Sequence, residues 1–455
     1  MNATLHALNR FGLGARPGEA RTLGDPRGWL RAQLTGPPPV LQPPVSVAAL
    51  DEAIASFRAP SPTPPPAAGQ PDPQARQQAR RRLVDIAASE ARAALSERVT
   101  SDRPYVERLV AFWSNHLCVS AAAKVLVAPL AGSYERDAIR PHVLGRFDDM
   151  VLASAKHPAM LAYLDNFQSI GPGSRAALRG RRRVQRGLNE NYARELLELH
   201  TLGVNGGYTQ QDVLELAKVL TGWTISGLTG GPGGGSAGGS LGFAFDPMRH
   251  EPGARTVLDR KYSDAGVEQG ARAIRDFCRH PATATFVATK LVTHFVADQP
   301  PAGAVERIAA VFRRTEGDLR EVSNAVIDLP DAWNGEARKF RTPQDWLVAV
   351  LRAFGTDPDA RLINALRQLR HLLWSPQAPK GFSDTTQEWA DPDSLLNRAE
   401  LARTLVRRLA RESGDVIGVV DVPAGDPLRA LVSERSIPAA DRLALVIAGP
   451  VFQWR

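Results

Sequence analysis

Cysteine is scarce in this chain of 455 residues, which carries only Cys118 and Cys278. Two cysteines exclude a disulfide framework and a cysteine-rich zinc site, and free thiols are a simpler expectation than one disulfide. No run of about 18 apolar residues occurs, so no transmembrane helix is expected. The first residues lack an apolar core of about 7–15 residues behind a basic start, so no signal peptide is expected and a cytoplasmic location is the default.

Lysine is also scarce, although the chain is basic. Lys and Arg total 56 against 48 Asp and Glu, which gives a net charge of +8 and an isoelectric point near 9.8. Only seven of the basic residues are Lys, which leaves 49 Arg. An Arg excess also arises from coding bias, and the basic stretches lack interleaved aromatic residues. No specific nucleic-acid partner is therefore expected.

The composition and the order of segments indicate a single helical unit. Hydrophobic residues make up 43% and charged residues 23%, which is ordinary for a globular protein. Domains of about 150 residues would allow up to three, but no compositional boundary separates them. We expect an all-α fold, one multi-helix domain over residues 1–455, with flexible Pro-rich and Gly-rich disordered inserts at 36–48, 59–73 and 229–240.

Helix starts and stops are well marked in the sequence. Thr209 and Asp212 resemble a capping box, Pro104 follows a capping sequence, and Thr342 precedes a helix that Gly355 would end. Apolar periodicity predicts further helices at 74–99, 188–202, 265–278, 282–297, 302–314, 360–374 and 394–412. Alternation typical of a strand is nearly absent, and residues 416–422 are its best candidate.

The most informative segment is residues 187–203, which contains the acidic helix predicted at 188–202. At about 100° per residue its polar side chains share one arc, whereas His200 lies on the apolar side and is expected to pack. One interpretation is a solvated face with an ion pair between Arg194 and Glu198. The other is an inward face on which Glu195 and Glu198 bind a divalent cation or divide acid and base roles, the pKa of one being raised by the other.

A second candidate is an aromatic segment near the end of the next predicted helix upstream. Phe112, Trp113 and His116 share one apolar face with Leu109. A histidine on such a face is usually a packed core residue. Asn115 beside two aromatic rings is typical of a pocket wall, so packing and a binding site both stay open.

Two polar loops are further candidates. Residues 179–186 contain five arginines, and Arg183 and Arg186 would bind an anionic group unless the loop is merely solvated. His250 lies in a turn with Glu251 and Arg255, which would either cover a site or face solvent.

Established catalytic signatures are missing. No His-Glu-x-x-His and no phosphate-binding loop occurs, and Glu195 is followed three residues later by Glu198 rather than by the His of a di-iron site. The Gly-x-Ser-x-Gly at 234–238 lies in a Gly-rich insert with no strand before it, so it cannot form a nucleophile elbow. Lys290 and His294 share a helix with apolar residues, and His294 is expected to pack.

Several segments together resemble the bacterial Domain of Unknown Function 1800 family. The strongest match is residues 189–203, Asn-Glu-Asn-Tyr-Ala-Arg-Glu-Leu-Leu-Glu-Leu-His-Thr-Leu-Gly. The other matching segments are residues 6–14, 112–116, 207–212, 220–223, 339–343 and 381–389. The chain departs from the family pattern at residues 250–255 and in the approach to Asp384, residues 375–384.

The resemblance implies a mostly helical protein of a kind that is often exported. Family members are often encoded beside sulfatase-like proteins with twin-arginine export signals, which implies export with such a partner and an envelope role on polysaccharide, sulfated or phosphorylated material. The family pattern has particular polar residues at set positions of the acidic segment. This favours a polar face that points inward, either for catalysis or as a structural network.

Two hypotheses follow. The first is a carboxylate- or metal-dependent hydrolase-like enzyme that acts on anionic or carbohydrate envelope material. Its catalytic groups would be Glu190, Asn191, Arg194, Glu195, Glu198, Trp113, Asn115 and His116, and its substrate-binding groups Arg183, Arg186, His200 and His250. A divalent metal, if used, would bind Glu195 and Glu198. The second hypothesis is a non-catalytic helical partner that docks on a sulfatase-like enzyme.

Overall fold

The computed structural model describes residues 2–58, 73–179, 187–228, 240–335, 338–409 and 416–455, and it is mostly α-helical, as the periodicity predicts. Two short antiparallel strand pairs join Trp223–Ile225 to Phe243–Phe245 and Arg255–Val257 to Arg260–Tyr262. Within these ranges no helix has both the length and the apolar character that crossing a membrane requires.

Helices follow one another along the whole described chain. In the first half the α-helices are Ala3–His6, Glu19–Thr22, Pro26–Thr35, Val47–Arg58, Pro73–Thr100, Pro104–His116, Ala131–Tyr134, Phe147–Lys156, Pro158–Tyr163, Arg175–Arg179, Asn191–Glu195 and Gln210–Val219. In the second half they are Val267–Cys278, Pro281–Phe295, Ala302–Arg314, Leu319–Asp328, Pro343–Phe354, Ala360–Gln368, Thr386–Trp389, Pro392–Leu409, Pro427–Ser433, Ala439–Ala448 and Pro450–Gln453. Turns of π-helix are Ala7–Phe11, Glu135–Ile139 and Leu196–His200, and 3-10 turns are Ala128–Leu130, Arg140–His142, Asn166–Gln168, Pro330–Trp333 and Ile417–Val419.

The capping signals predicted at Thr209 and Thr342 are confirmed, whereas the Pro104–His116 helix has Arg103 at its N-cap and no side-chain cap. Thr209 and Asp212 form a reciprocal capping box, in which the Asp212 amide donates to Thr209 Oγ1 at 3.2 Å and the Thr209 amide donates to Asp212 Oδ2 at 2.8 Å. Thr342 caps the Pro343–Phe354 helix through its hydroxyl, which accepts from the Asp345 amide at 3.2 Å. That helix ends at Gly355 with a φ of 63°, a left-handed conformation that glycine adopts without a Cβ clash.

The acidic segment is not the continuous α-helix predicted over 188–202. Its α-helical part is Asn191–Glu195, and a π-helical turn, Leu196–His200, follows. Beyond it the Gly203 amide donates to the Leu197 carbonyl at 3.2 Å, further back along the chain than an α-helical bond reaches. The extra residue in the π turn changes the direction in which the last side chains of the segment point.

Two other predicted elements are wrong. Residues 416–422 form a 3-10 turn at Ile417–Val419 instead of a strand, and their buried valines pack against the core rather than line a ladder. The helix predicted at 360–374 ends at Gln368, because Arg370 adopts a left-handed φ of 57°. In the insert predicted at 36–48, Leu41 is buried and Val47 already begins a helix. Residues 59–72 and 229–239 lie outside the described part of the chain.

Buried apolar side chains form two clusters. The first includes side chains of Pro104–His116 and Pro281–Phe295, and the second includes those of Pro343–Phe354 and Pro392–Leu409. Trp374 packs against both clusters. A cavity lined by residues of both clusters lies between these helices, and it forms part of the candidate site.

A buried charge network joins the helices behind that cavity. Glu135 is completely buried and accepts hydrogen bonds from Arg98 at 2.8 Å, from Arg140 at 3.0 Å and from the Trp374 indole at 3.0 Å. Arg140 is also bound by both carboxylate oxygens of Glu107, at 2.7 and 2.9 Å. Each charge therefore has a partner, which is the condition for burying it.

We expect Glu135→Ala to lower the free energy of unfolding by about 3–5 kcal/mol, because it leaves two guanidinium groups buried without their shared carboxylate. The matched control is Glu306→Ala, which removes an exposed pair with Arg313 and should change stability by less than about 1 kcal/mol. Urea unfolding followed by circular dichroism measures both variants. Equal losses in the two would contradict the role given to Glu135.

Candidate functional site

Two adjoining cavities lie between the end of the Pro104–His116 helix, the Pro281–Phe295 helix and the loop 376–385. Their volumes are about 70 and 200 Å³. Both are lined by Phe112, Asn115, Phe382, Ser383 and Asp384. We call the two cavities together the Asp384 pocket.

Asn115 holds the loop that forms one wall of the Asp384 pocket. Its Nδ2 donates to the Phe382 carbonyl at 2.9 Å, and its Oδ1 accepts from the Phe382 amide at 2.8 Å. Gly381 has a φ of 80°, and a Cβ there would lie 2.4 Å from the Asn115 carbonyl oxygen. Only glycine therefore permits this approach. Asn115 lines the pocket, as one interpretation of its sequence context predicted, and it positions the loop.

The central pair in the pocket is His294 and Asp384. His294 Nδ1 lies 2.6 Å from Asp384 Oδ2, and its Nε2 is buried without a hydrogen-bond partner among the described residues. Burial lowers the pKa of His294 to about 4. The imidazole is therefore neutral near pH 7, and a proton on Nδ1, assigned from this bond, leaves a lone pair on Nε2.

The charges around Asp384 keep it ionised. Burial alone opposes ionisation, but the His294 ring, the Lys339 ammonium and the Arg455 guanidinium hold the pKa of Asp384 well below its usual range. Lys339 Nζ donates to the Asp384 carbonyl at 2.6 Å, and Arg455 Nη2 lies 3.9 Å from Asp384 Oδ1. An ionised carboxylate in this position would stabilise a positive charge on the imidazole.

Two lysines give the larger cavity a positive lining. Lys290 and Lys380 both line it, together with Thr293. Lys290 packs its ammonium over the Phe286 ring at 5.7 Å, and neither lysine forms a hydrogen bond or ion pair with the described residues. Burial lowers the pKa of Lys290. The Asp384 carboxylate in the same cavity acts on Lys290 without forming an ion pair, so both ammonium groups stay open to direct contact with an anionic group.

His116 and Trp113 belong to the same helix as Asn115, Pro104–His116. His116 also lines the larger cavity, and its Nε2 lies 3.1 Å from the His200 carbonyl. Burial, followed by the charge of Lys290, lowers the pKa of His116 well below its usual value. Trp113 lines neither cavity and packs edge-on against Phe112 and His116.

The outer part of the acidic helix forms a surface network. Glu190 and Arg194 are each 39% exposed, their charged atoms are 3.6 Å apart, and both bind the side chain of Gln210. Asn191 is exposed. The predicted ion pair between Arg194 and Glu198 does not form, because Glu198 lies in the π turn and accepts instead from Tyr208 at 3.3 Å.

Glu195 and Glu198 are half-buried and line neither cavity of the Asp384 pocket. Burial and then the charge of Glu198 raise the pKa of Glu195, in the predicted direction. Nowhere in the described ranges do three His, Cys, Asp or Glu side chains meet as metal ligands would. His116 therefore does not join the two glutamates, and the pair alone is a poor fit for a protein-held cation.

The predicted substrate-binding residues are not brought together. His200 is buried, and burial lowers its pKa to about 3. His250 is buried in another part of the fold, where its Nδ1 lies 2.9 Å from the Thr221 carbonyl and the adjacent Glu251 accepts from the Gly173 amide at 2.6 Å. Arg183 and Arg186 lie outside the described residues.

Sequence patterns did not identify the central pair. The sequence predicted only packing for His294, and it placed Asp384 within the family segment 381–389 without a role. The two residues are 90 positions apart, so no local spacing connects them. The available signal was that Asp384 lies in one segment that matches the family, 381–389, and Lys339 in another, 339–343.

We expect the protein to lose stability as the pH falls from about 7.5 to about 5, because buried neutral histidines resist the protons that the unfolded chain binds. The pKa of His371, which lines the smaller cavity, falls from 6.5 to about 3 through burial. Its native neutral form therefore costs about 2 kcal/mol of stability at pH 5 and almost nothing at pH 7.5. His371→Phe should reduce the pH-dependent loss by that amount in urea unfolding. If the pH dependence of the free energy of unfolding is unchanged in this variant, the lowered pKa of His371 is contradicted.

Comparison with known proteins agrees with the resemblance seen in the sequence. Residues 6–454 match the profile described as a protein of unknown function, DUF1800. No curated protein and no solved structure matches the chain. Since the match covers nearly all of its length, the protein belongs to the DUF1800 family.

Proposed function

We propose that the protein is a hydrolase-like enzyme that binds an anionic substrate in the Asp384 pocket. One observation carries the proposal: the His294 Nε2 has no partner among the described residues, while Asp384 holds the other ring nitrogen at 2.6 Å. A neutral imidazole oriented by an ionised carboxylate is suited to general-base catalysis.

The proposed step uses one water molecule. His294 Nε2 accepts a proton as the water oxygen attacks the electrophilic centre of the substrate, and the bond to the leaving group breaks. The imidazolium then returns the proton to the leaving oxygen, so His294 ends the cycle neutral. Asp384 stabilises the imidazolium, and Lys290 and Lys380 bind the anionic group and the charge that develops on it.

The family resemblance supports anionic or carbohydrate envelope material as the substrate. A carboxylate-dependent mechanism on Glu195 and Glu198 is the second version of the hydrolase proposal, supported by the raised pKa of Glu195. These residues do not line the pocket, and a third ligand is missing within the described residues. We therefore place the reaction at His294 and derive no step through a metal.

We expect purified protein to hydrolyse at least one of p-nitrophenyl phosphate, p-nitrophenyl sulfate and p-nitrophenyl glucuronide. His294→Gln and Asp384→Asn should each lower kcat at least about 100-fold, because one removes the base and the other its orienting charge. His142→Gln is the matched control, since His142 lines neither cavity, and it should keep wild-type kcat. Circular dichroism establishes that each variant is folded.

Two results would contradict the proposal: no turnover of any of the three esters by the wild type, or equal turnover in folded His294→Gln. A stable complex with a sulfatase-like protein, combined with absent turnover, would support the alternative of a non-catalytic partner.

Substitutions in the acidic helix distinguish the mechanism based on His294 from the one based on Glu195 and Glu198. We expect Glu195→Gln to keep kcat and to raise the urea midpoint at about pH 8, because the raised pKa of Glu195 shows that its ionised form is disfavoured in the fold. The control on the same helix is Glu190→Gln, which removes the charge attraction to Arg194 but keeps a side-chain oxygen for Gln210, and it should not raise the midpoint. If Glu195→Gln lowers kcat as much as His294→Gln does, the result would support Glu195 and Glu198 as the catalytic groups.

A further inference from the structure

The largest cavity among those described lies apart from the Asp384 pocket. It is a cleft of about 730 Å³ between the first residues of the chain, the segment 420–429 and the last residues, 450–455. Its volume is in the range of small-molecule binding sites. We call it the terminal cleft.

The terminal cleft has a strong excess of positive side chains. Five arginines and two aspartates line it. The two carboxylates already accept backbone hydrogen bonds, Asp421 from the Asn2 amide at 2.7 Å and Asp426 from the Leu428 amide at 2.8 Å. Five guanidinium groups against two carboxylates leave the lining with an excess of positive charge, although Arg455 is also paired with Asp345 at 3.3 Å.

Arg341 and Arg338 show this imbalance most clearly. Arg341 is 2% exposed, donates to the Phe452 carbonyl at 2.7 Å and to Asn9, and has no ion pair with a carboxylate in the described ranges. Arg338 is exposed and forms no ion pair or hydrogen bond with the described residues. The charge of Asp345 acts on Arg341 from beyond ion-pair distance, so a bound anion would give this buried guanidinium a direct counter-charge.

The rest of the cleft wall is apolar. Trp454 is half-buried with its ring edge-on to Phe340 at 5.2 Å, and Val451 and Pro450 line the cleft beside it. A wall of this kind complements a ring or another apolar face of a ligand, while the guanidinium groups complement its charge.

We propose that the terminal cleft binds a small organic anion, a ligand with a carboxylate or phosphate group beside an apolar or ring face. This site is separate from the Asp384 pocket and does not depend on the proposed hydrolysis. The carboxylate and the phosphate are both oxyanions. A phosphorylated sugar would supply one and an acidic sugar the other.

Binding of glucose 6-phosphate, glucuronate, inorganic phosphate and glucose to the full chain, measured by titration calorimetry at constant ionic strength, tests the proposal. We expect the first two probes to bind and glucose not to bind. Tighter binding of glucose 6-phosphate than of glucuronate identifies a phosphate ligand, and the reverse order identifies an acidic sugar.

Arg338→Gln should weaken binding about tenfold, the effect of losing one charge-assisted hydrogen bond. Its control is Arg403→Gln, an exposed arginine that does not line the cleft, which should leave binding unchanged. Asp421→Asn removes a negative charge but keeps a side-chain oxygen for the Asn2 amide, so it should tighten binding.

Lys290→Met distinguishes binding at the terminal cleft from binding at the Asp384 pocket, because it removes an ammonium group from the pocket alone. Binding at the terminal cleft should persist in this variant. Failure of all three anions to bind, equal binding of glucose, or wild-type affinity in both Arg338→Gln and Asp421→Asn would overturn the proposal.

Discussion

The buried guanidinium of Arg455 connects segments that are far apart in the sequence. It donates to the Arg10 carbonyl at 3.2 Å and to the His294 carbonyl at 3.1 Å, and its Nε lies 3.3 Å from Asp345. Its backbone pairs with that of Lys339. One side chain thus ties both ends of the described chain to the helix that carries His294. A buried cation requires such acceptors, so these segments must come together for the chain to fold.

This constraint also sets the chemistry of the Asp384 pocket. Arg455 and Lys339 are charges that the fold has to place beside Asp384, and they help to keep its carboxylate ionised. The same burial lowers the pKa of His294, so the ring stays neutral and its Nε2 stays unprotonated. The neutral state of His294, on which the proposed mechanism relies, follows from the way the chain buries its charged groups.

Local signals were sufficient for most of the fold. Thr209 and Thr342 begin helices and Gly355 ends one, because caps act within a single turn. The π turn at Leu196–His200 was not predictable, since tertiary packing rather than apolar spacing selects it.

The site was predictable only in part. The position of Asn115 and His116 in the pocket wall was predictable, because a short segment of aromatic and polar residues is typical of such a wall. The contact between His294 and Asp384 depends on chain folding across 90 residues, which no periodicity records. The glutamates of the acidic helix were visible in the sequence, but their absence from the lining of the Asp384 pocket was not.

Nitrogen NMR of the histidine rings, with the His294 signals assigned by their loss in His294→Gln, tests the central claim most directly. At about pH 6 the account predicts a neutral His294 with its proton on Nδ1 and an unprotonated Nε2, in keeping with a pKa of about 4. A positively charged ring at that pH, or a proton on Nε2, would contradict it.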